Sequence, residues 1–167
     1  MRRPNRSQPS GIRQRRIGYS FVDVMLAVLI VGLMAAVASP RYIESRDYFR
    51  VEAAAARVAA DLFHARQQAK TKGTSQDVVF EPDLHSYTLT GMTDVDNPTL
   101  PFRVDLTELS SPATIVSVSF GASGTASTLT FDLYGRPDAG GQVVIASGGL
   151  QRTVVVNAQT GKISIQP

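Results

Sequence analysis

The sequence predicts an α+β protein in which one long N-terminal helix packs on antiparallel β-sheets. Three observations carry this reading. Residues 19–39 form an apolar run of 21 residues broken by a single charge, Asp23. Beyond Pro40, apolar residues recur at three- and four-residue spacing, the period of a helix with one buried face. After Gly73 the pattern shortens to β-like runs divided by Gly, Pro, Asn and Asp at intervals that suit hairpins rather than helical crossovers.

The chain begins with a polar, basic leader, residues 1–18, which holds Arg2, Arg3, Arg6, Arg13, Arg15 and Arg16 and no acid. The apolar run follows. At about 1.5 Å per residue its 21 residues extend roughly 31 Å as a helix, the thickness of a bilayer hydrocarbon core, so residues 19–40 are expected to be a transmembrane helix half. Positive charge would hold the leader in the cytoplasm and send the remainder across. An acid at the centre of such a helix costs on the order of 2.5 to 3.5 kcal/mol, and less near the interface, so Asp23 calls for a partner.

Residues 41–72 continue as an amphipathic helix half. Val51, Ala55, Val58, Leu62, Ala65 and Ala69 form its apolar stripe, while Glu52, Arg57, Asp61, Arg66 and Lys70 take the other faces. The small alanines Ala53, Ala54, Ala55, Ala56, Ala59 and Ala60 would let another layer approach closely, Gly73 is the expected stop after Lys70 and Lys72, and Pro40 is the expected kink. Residues 73–167 then form a β domain, with strands expected over 76–80, 86–90, 102–106, 114–120, 128–133, 142–146, 152–157 and 162–165. Its turns are marked by Pro82-Asp83, Asn97-Pro98, Gly121, Gly124, Gly135-Arg136-Pro137, Gly140-Gly141, Gly148-Gly149 and Thr160-Gly161.

Composition excludes several classes. There is no cysteine, which removes disulfides and thiolate metal or redox sites and leaves packing to hold the β domain. The whole chain carries 17 basic and 14 acidic residues, but six of the basic ones lie in the leader and every acid lies after it, so the remainder is net −3. The basicity is therefore a topology signal and no nucleic-acid signature.

Gly18-Tyr19-Ser20-Phe21-Val22-Asp23, with a basic leader before it and the apolar run after it, resembles the class III signal of type IV pilins and type II secretion pseudopilins. Gly32 and Pro40 fall at that family's glycine and proline positions, where the helix would kink. Three further blocks are similar to the GspH/FimT group of minor pseudopilins: Ala60-Asp61-Leu62-Phe63-His64-Ala65-Arg66-Gln67-Gln68-Ala69, Phe131-Asp132-Leu133-Tyr134-Gly135-Arg136-Pro137 and Thr160-Gly161-Lys162-Ile163. The resemblance implies cleavage of the Gly18-Tyr19 bond by a prepilin peptidase, methylation of the Tyr19 amine by the same enzyme, and pairing of Asp23 with the terminal amine of a neighbouring subunit. The usual residues are phenylalanine after the cut and glutamate at the acidic position. Tyr19 keeps the aromatic ring, whereas Asp23 is one methylene shorter and must approach its partner more closely.

Competing readings are less complete. Ala36-Val37-Ala38 before Ser39 has the form of an ordinary signal peptidase site, but the apolar run is too long, contains Asp23 and is followed at once by Pro40. Neither an unprocessed single-pass anchor nor the Arg15-Arg16 pair as a twin-arginine signal accounts for the whole pattern. His64 with Asp61 reads as a solvated helix pair, and Glu81-Pro82-Asp83-Leu84-His85 as a hairpin turn before it reads as a metal cluster. Asp94, Asp96 and Asn97 lack the glycine and late glutamate of a calcium loop. Gly140-Gly141 and Gly148-Gly149 lack a following lysine or helix and read as turns. No nucleophile, base and orienter assemble, so no enzyme activity and no cofactor are expected.

Two functions fit the resemblance. One is a minor pseudopilin of a type II secretion apparatus. It would be anchored in the bacterial inner membrane with its domain in the periplasm, and would join other pseudopilins through its N-terminal helix in a pseudopilus. The alternative is a FimT-like minor pilin of a type IV pilus taking up DNA, or an orphan pilin-like protein. DNA uptake needs a cationic surface near the C-terminus, and beyond Gly148 only Arg152 and Lys162 are basic. Nucleic acid is therefore not the expected partner.

Overall fold

The computed structural model describes residue 18 and residues 20–94, 97–121 and 123–167, with residues 37–44 described in backbone alone. The chain divides into two compact units, Met1–Ser39 and Pro40–Pro167. Helix α1, Phe21–Lys72, begins in the first and ends in the second. It passes unbroken through Gly32 and Pro40; the Pro40 side chain lies outside the described residues.

In the first unit every described side chain from 20 to 36 is exposed, including Phe21, Leu26, Ile30 and Met34. Apart from Ser20 and Asp23 this surface is apolar, and among the described residues of its unit nothing covers it. Among the described residues, no helix is long and apolar enough to cross a membrane. The expectation of a span over 19–40 thus finds no support here, because its described side chains stop at Ala36, and Tyr19 and residues 37–40 fall outside them.

In the second unit α1 buries one stripe, and the stripe is the expected one: Val51, Ala55, Val58, Leu62, Ala65 and Ala69 are at most 1% exposed, with Ala54 beside them. The broader alanine expectation needs correction. Ala53, Ala56 and Ala60 face outward and Ala59 is half-buried, because four consecutive residues sweep right around a helix and cannot share a face. Gly73 ends the helix in the left-handed region, φ +65°, and its N–H donates to the Ala69 carbonyl at 3.0 Å.

Eight strands follow, all paired antiparallel: β1 Gln76–Glu81, β2 Ser86–Thr93, β3 Pro101–Asp105, β4 Thr114–Phe120, β5 Thr128–Phe131, β6 Gly141–Ser147, β7 Leu150–Val156 and β8 Ile163–Gln166. Each expected run overlaps one, with ends that differ by up to three residues. The fifth ends two residues early, because the Asp132 carboxylate folds the chain into a turn by accepting from the Tyr134 and Arg136 N–H groups.

The strands form two four-stranded sheets, β3-β2-β1-β5 and β4-β6-β7-β8. Four connections are hairpins between neighbours, but β5 leaves the second sheet, where β4 lies, to pair with β1 before β6 returns to β4. One core serves all of this. Val78, Phe80, Tyr87, Leu89, Leu129 and Phe131 from the first sheet join Ile115, Phe120, Val143, Ile145, Val154 and Val156 from the second, together with the helix stripe. Phe80 stacks on Phe120 across the sheets, with ring centroids 5.7 Å apart. Each large apolar side chain buried here contributes about 1.5–3 kcal/mol, which suffices for a chain without disulfides.

Candidate functional site

The N-terminal site can be described from Gly18 onward, apart from Tyr19, which lies outside the described residues. Gly18 is exposed and precedes the helix. Ser20 caps the helix: its Oγ accepts from the Val22 N–H at 3.4 Å and its carbonyl from the Asp23 N–H at 2.9 Å. Asp23 reaches back so that its Oδ2 accepts from the Ser20 N–H at 3.1 Å. Ser20 and Asp23 thus form a variant of the capping box that the Ser-x-x-acid spacing signals, with the Ser20 hydroxyl on the N–H of Val22 in place of that of Asp23. The carboxylate also opposes the positive end of the helix dipole. It stands exposed, held on the Ser20 N–H.

A second constellation lies at the other end of α1 and brings together the three blocks that carry the narrower resemblance. Arg66 Nε donates to the Gly135 carbonyl at 2.9 Å, and its NH2 donates to the Thr160 carbonyl at 3.0 Å. One guanidinium thus ties the helix to the turn after β5 and to the turn before β8. Both turns are shaped by a side chain. Asp132 Oδ1 holds the Tyr134 and Arg136 N–H groups, and Asn157 Oδ1 holds those of Gln159 and Thr160. Gly161 has φ +62°, and a Cβ there would lie 3.0 Å from the Gly135 carbonyl and 3.2 Å from Arg66 Nε. Glycine is required by both conformation and space.

The remaining candidates are structural. Asp61 is buried, unlike the solvated partner expected for His64: its Oδ2 accepts from Tyr87 Oη at 2.5 Å and from Arg57 Nε at 2.9 Å, while His64 is exposed. Burial, then the Asp61 charge and hydrogen bond, push the Tyr87 hydroxyl pKa well above the ordinary tyrosine range. Among the described residues no group of three His, Asp or Glu side chains is placed to hold a metal. Glu81 instead accepts from Ser86 and pairs with Arg103, and His85 closes the Pro82–Leu84 turn with φ 49°. Asp94 Oδ1 accepts from the Asn97 N–H, and Asp96 lies outside the described residues. Gly148 and Gly149, with φ +58° and +86°, are the two-residue hairpin turn between β6 and β7, and Gly141 opens β6 against Phe120 of β4. Arg152 is engaged, donating to Glu52 at 2.8 Å with its guanidinium carbon 5.1 Å from the centre of the Tyr48 ring.

A search of curated proteins finds none that matches the chain. Among solved structures, the fold is similar to the type IV minor pilin FimU of Pseudomonas aeruginosa, at 18% identity and a TM-score of 0.51, over 70% of this chain and 88% of that one. It is similar also to the minor pseudopilin EpsH from the Type 2 Secretion System of Vibrio cholerae, at 15% identity and a TM-score of 0.52, over 70% of this chain and 96% of that one. Residues 54–160, which hold most of the Arg66 junction and its two turns, match the family model of the type II transport protein GspH. The chain therefore belongs to the GspH family of pilin-like structural subunits and is not an enzyme.

Proposed function

We propose that this protein is a minor pseudopilin of a type II secretion apparatus, a structural subunit that takes part in protein export. Its leader is removed at the Gly18-Tyr19 bond by a prepilin peptidase, which methylates the Tyr19 amine. The helix that follows is held in the inner membrane over residues 19–40, with the leader on the cytoplasmic side and the β domain outside, until the subunit joins the pseudopilus through that helix. The observation that carries the reading is the union of a GspH-family domain with an exposed apolar helix that opens on Gly18 and a capped Ser20–Asp23 box. In the filament, Asp23 neutralises the amine of a neighbour, so that two charges are not left separate in lipid.

A DNA-uptake pilin fits less well. Of the two cations beyond Gly148, Arg152 is occupied by Glu52 and Tyr48. The test is deletion of the gene in its own host, with exoprotein release and DNA uptake scored together, and mass spectrometry of the mature protein. Loss of export with a methylated Tyr19 terminus is expected. Lost DNA uptake with intact export, or a mature terminus at Ser39, would overturn the proposal.

A further inference from the structure

Within the second unit, α1 buries its stripe on one side and leaves another apolar line on the opposite side. Phe49, Ala53, Ala56, Ala60, Phe63 and Gln67 recur at alternating four- and three-residue spacing, and at about 100° per residue they fall within roughly 40° of one line along the helix. Val58, Leu62 and Ala65 face the other way, into the core. All six residues of the line are exposed, Phe49 by 68% and Phe63 by 53%. The open face of a surface helix ordinarily carries charge. Here the charges stand aside: Arg46, Arg57 and His64 border the line on one side and Glu52 and Lys70 on the other, and between Phe49 and Gln67 none falls on it.

Two exposed rings and a groove set this line apart from a chance run of alanines. Phe49 borders an open groove of about 620 Å³ together with Ser45 and Tyr48 of α1 and Leu150 of β7, and the Tyr48 ring stands edge-on to that of Phe49 at 5.8 Å. Asp47, which also lines the groove, is already paired with Arg50 at 3.3 Å. The shape of the line selects its occupant. Phe49 and Phe63 are 14 residues apart, about 21 Å along the axis, and the strip between them is one residue wide. A lipid surface or a globular loop would call for a broad patch, whereas heptad spacing is what a second helix laid alongside reads, and the three alanines let its backbone come close between the two rings. With no charge on the line, that helix must be uncharged where it touches.

We propose that this outer face of α1 receives the apolar N-terminal helix half of a different pilin-like subunit. The inference rests on the subunit reading above and names the surface that takes a neighbour's helix. Residues 24–36 of this chain, uncharged and exposed over about 20 Å of helix, show the kind of segment such a line would cover. Because the offered segment and the receiving line belong to different halves of α1, a subunit offers one helix surface and accepts another. The contact joins unlike subunits and calls for no second copy of this chain.

The experiment places photoreactive benzoylphenylalanine at Phe63 of the full-length chain in the membranes of its own host, and maps the cross-linked peptide by mass spectrometry. The product should fall in the apolar N-terminal half of another pilin-like subunit. Ala56→Glu should lower the yield about tenfold by setting a charge in the contact, while Ala56→Ser, small and uncharged, and Val116→Glu, at an exposed apolar position on β4, should leave it unchanged. Ala60→Glu repeats the test one turn further along, and because both alanines are exposed neither change should shift the melting of the full chain in detergent. Cross-links to lipid alone, to a second copy of this chain or to a globular region of any protein, or a yield indifferent to both glutamates, would each overturn the proposal. The same photoreactive group at Met25 reports assembly through the apolar half. If Met25 reaches pilin-like subunits and Phe63 does not, only the receiving surface fails; if neither does, the subunit reading fails as well.

Discussion

Arg66 joins stretches of chain that lie 69 and 94 residues away, through two charged hydrogen bonds to backbone carbonyls. Bonds of this kind contribute about 1.5–3 kcal/mol each, less where exposed, so Arg66→Ala should lose about 2–3 kcal/mol in a denaturant titration. Arg66→Lys should recover under half of that, because an ammonium on a single stem cannot span two carbonyls as a guanidinium fork does. The glycines beside it should differ in cost. At Gly161 a Cβ would press on the backbone oxygen of Gly135, whereas at Gly135 it would meet mainly the flexible ends of Lys70 and Arg66, so Gly161→Ala should be the more destabilising by differential scanning calorimetry. Tyr87 supplies a pH signature. Its folded pKa is raised, so its contribution is fully present below the ordinary tyrosine value of about 10 and is lost as pH rises through the folded value. Tyr87→Phe should lower stability at pH 7 and flatten the alkaline limb of the stability profile; an unchanged limb would remove Tyr87 as its cause.

Helix α1 does different work along its length. At its start Asp23 has two separable roles, a cap for the Ser20 N–H and a charge for a neighbour's amine, and asparagine keeps an acceptor oxygen while removing the charge. If the charge drives assembly, Asp23→Asn and Asp23→Ala should be cleaved normally at Gly18 and be equally poor at entering the filament, whereas Asp23→Glu should enter as well as the parent or better. Wild-type incorporation of the asparagine variant would assign the residue to capping alone. In the second unit the stripe is lined by alanine where α1 meets the sheets. Ala65→Leu should cost about 1–3 kcal/mol by overpacking, while Ala53→Leu, on the open face, should change stability by less than about 0.5 kcal/mol. The stripe was legible because its three- and four-residue period is written locally; the capping box was equally legible, and was missed because Asp23 was weighed only as a charge in lipid.

The exchange of β5 between β4 and β6 ties both sheets into one cooperative structure. A fragment of residues 45–167, freed of the apolar helix start, should fold as a soluble α+β monomer with a single unfolding transition. Leu129→Ala, fully buried on β5, should lower that one transition by about 2–5 kcal/mol instead of splitting it. Two transitions by circular dichroism and near-ultraviolet absorbance, or a fragment that aggregates, would contradict this. The fragment should also bind DNA weakly, and Arg152→Ala should have little effect on that binding, since Arg152 is committed to Glu52.

Element types and order, the helix stripe, the stop at Gly73, the turns and the sign of each segment's charge were all readable along the chain. Each depends on residues within a few positions of one another: periodicity, turn chemistry and net charge are local properties. Strand order was not readable, because whether β5 pairs with β4 or with β1 depends on which pairing buries Leu129 and Phe131 best, a choice made by the whole core. For the same reason Arg152 looked like a free cation until the fold set it against Glu52 and Tyr48. Asp61 looked solvated until β2 brought Tyr87 over it. The three motif blocks were visible as separate phrases, and only tertiary structure showed that one arginine joins them. Arg66, Lys70, Gly135 and Gly161 likewise lie up to about a hundred residues apart in the chain, and folding alone brings them together.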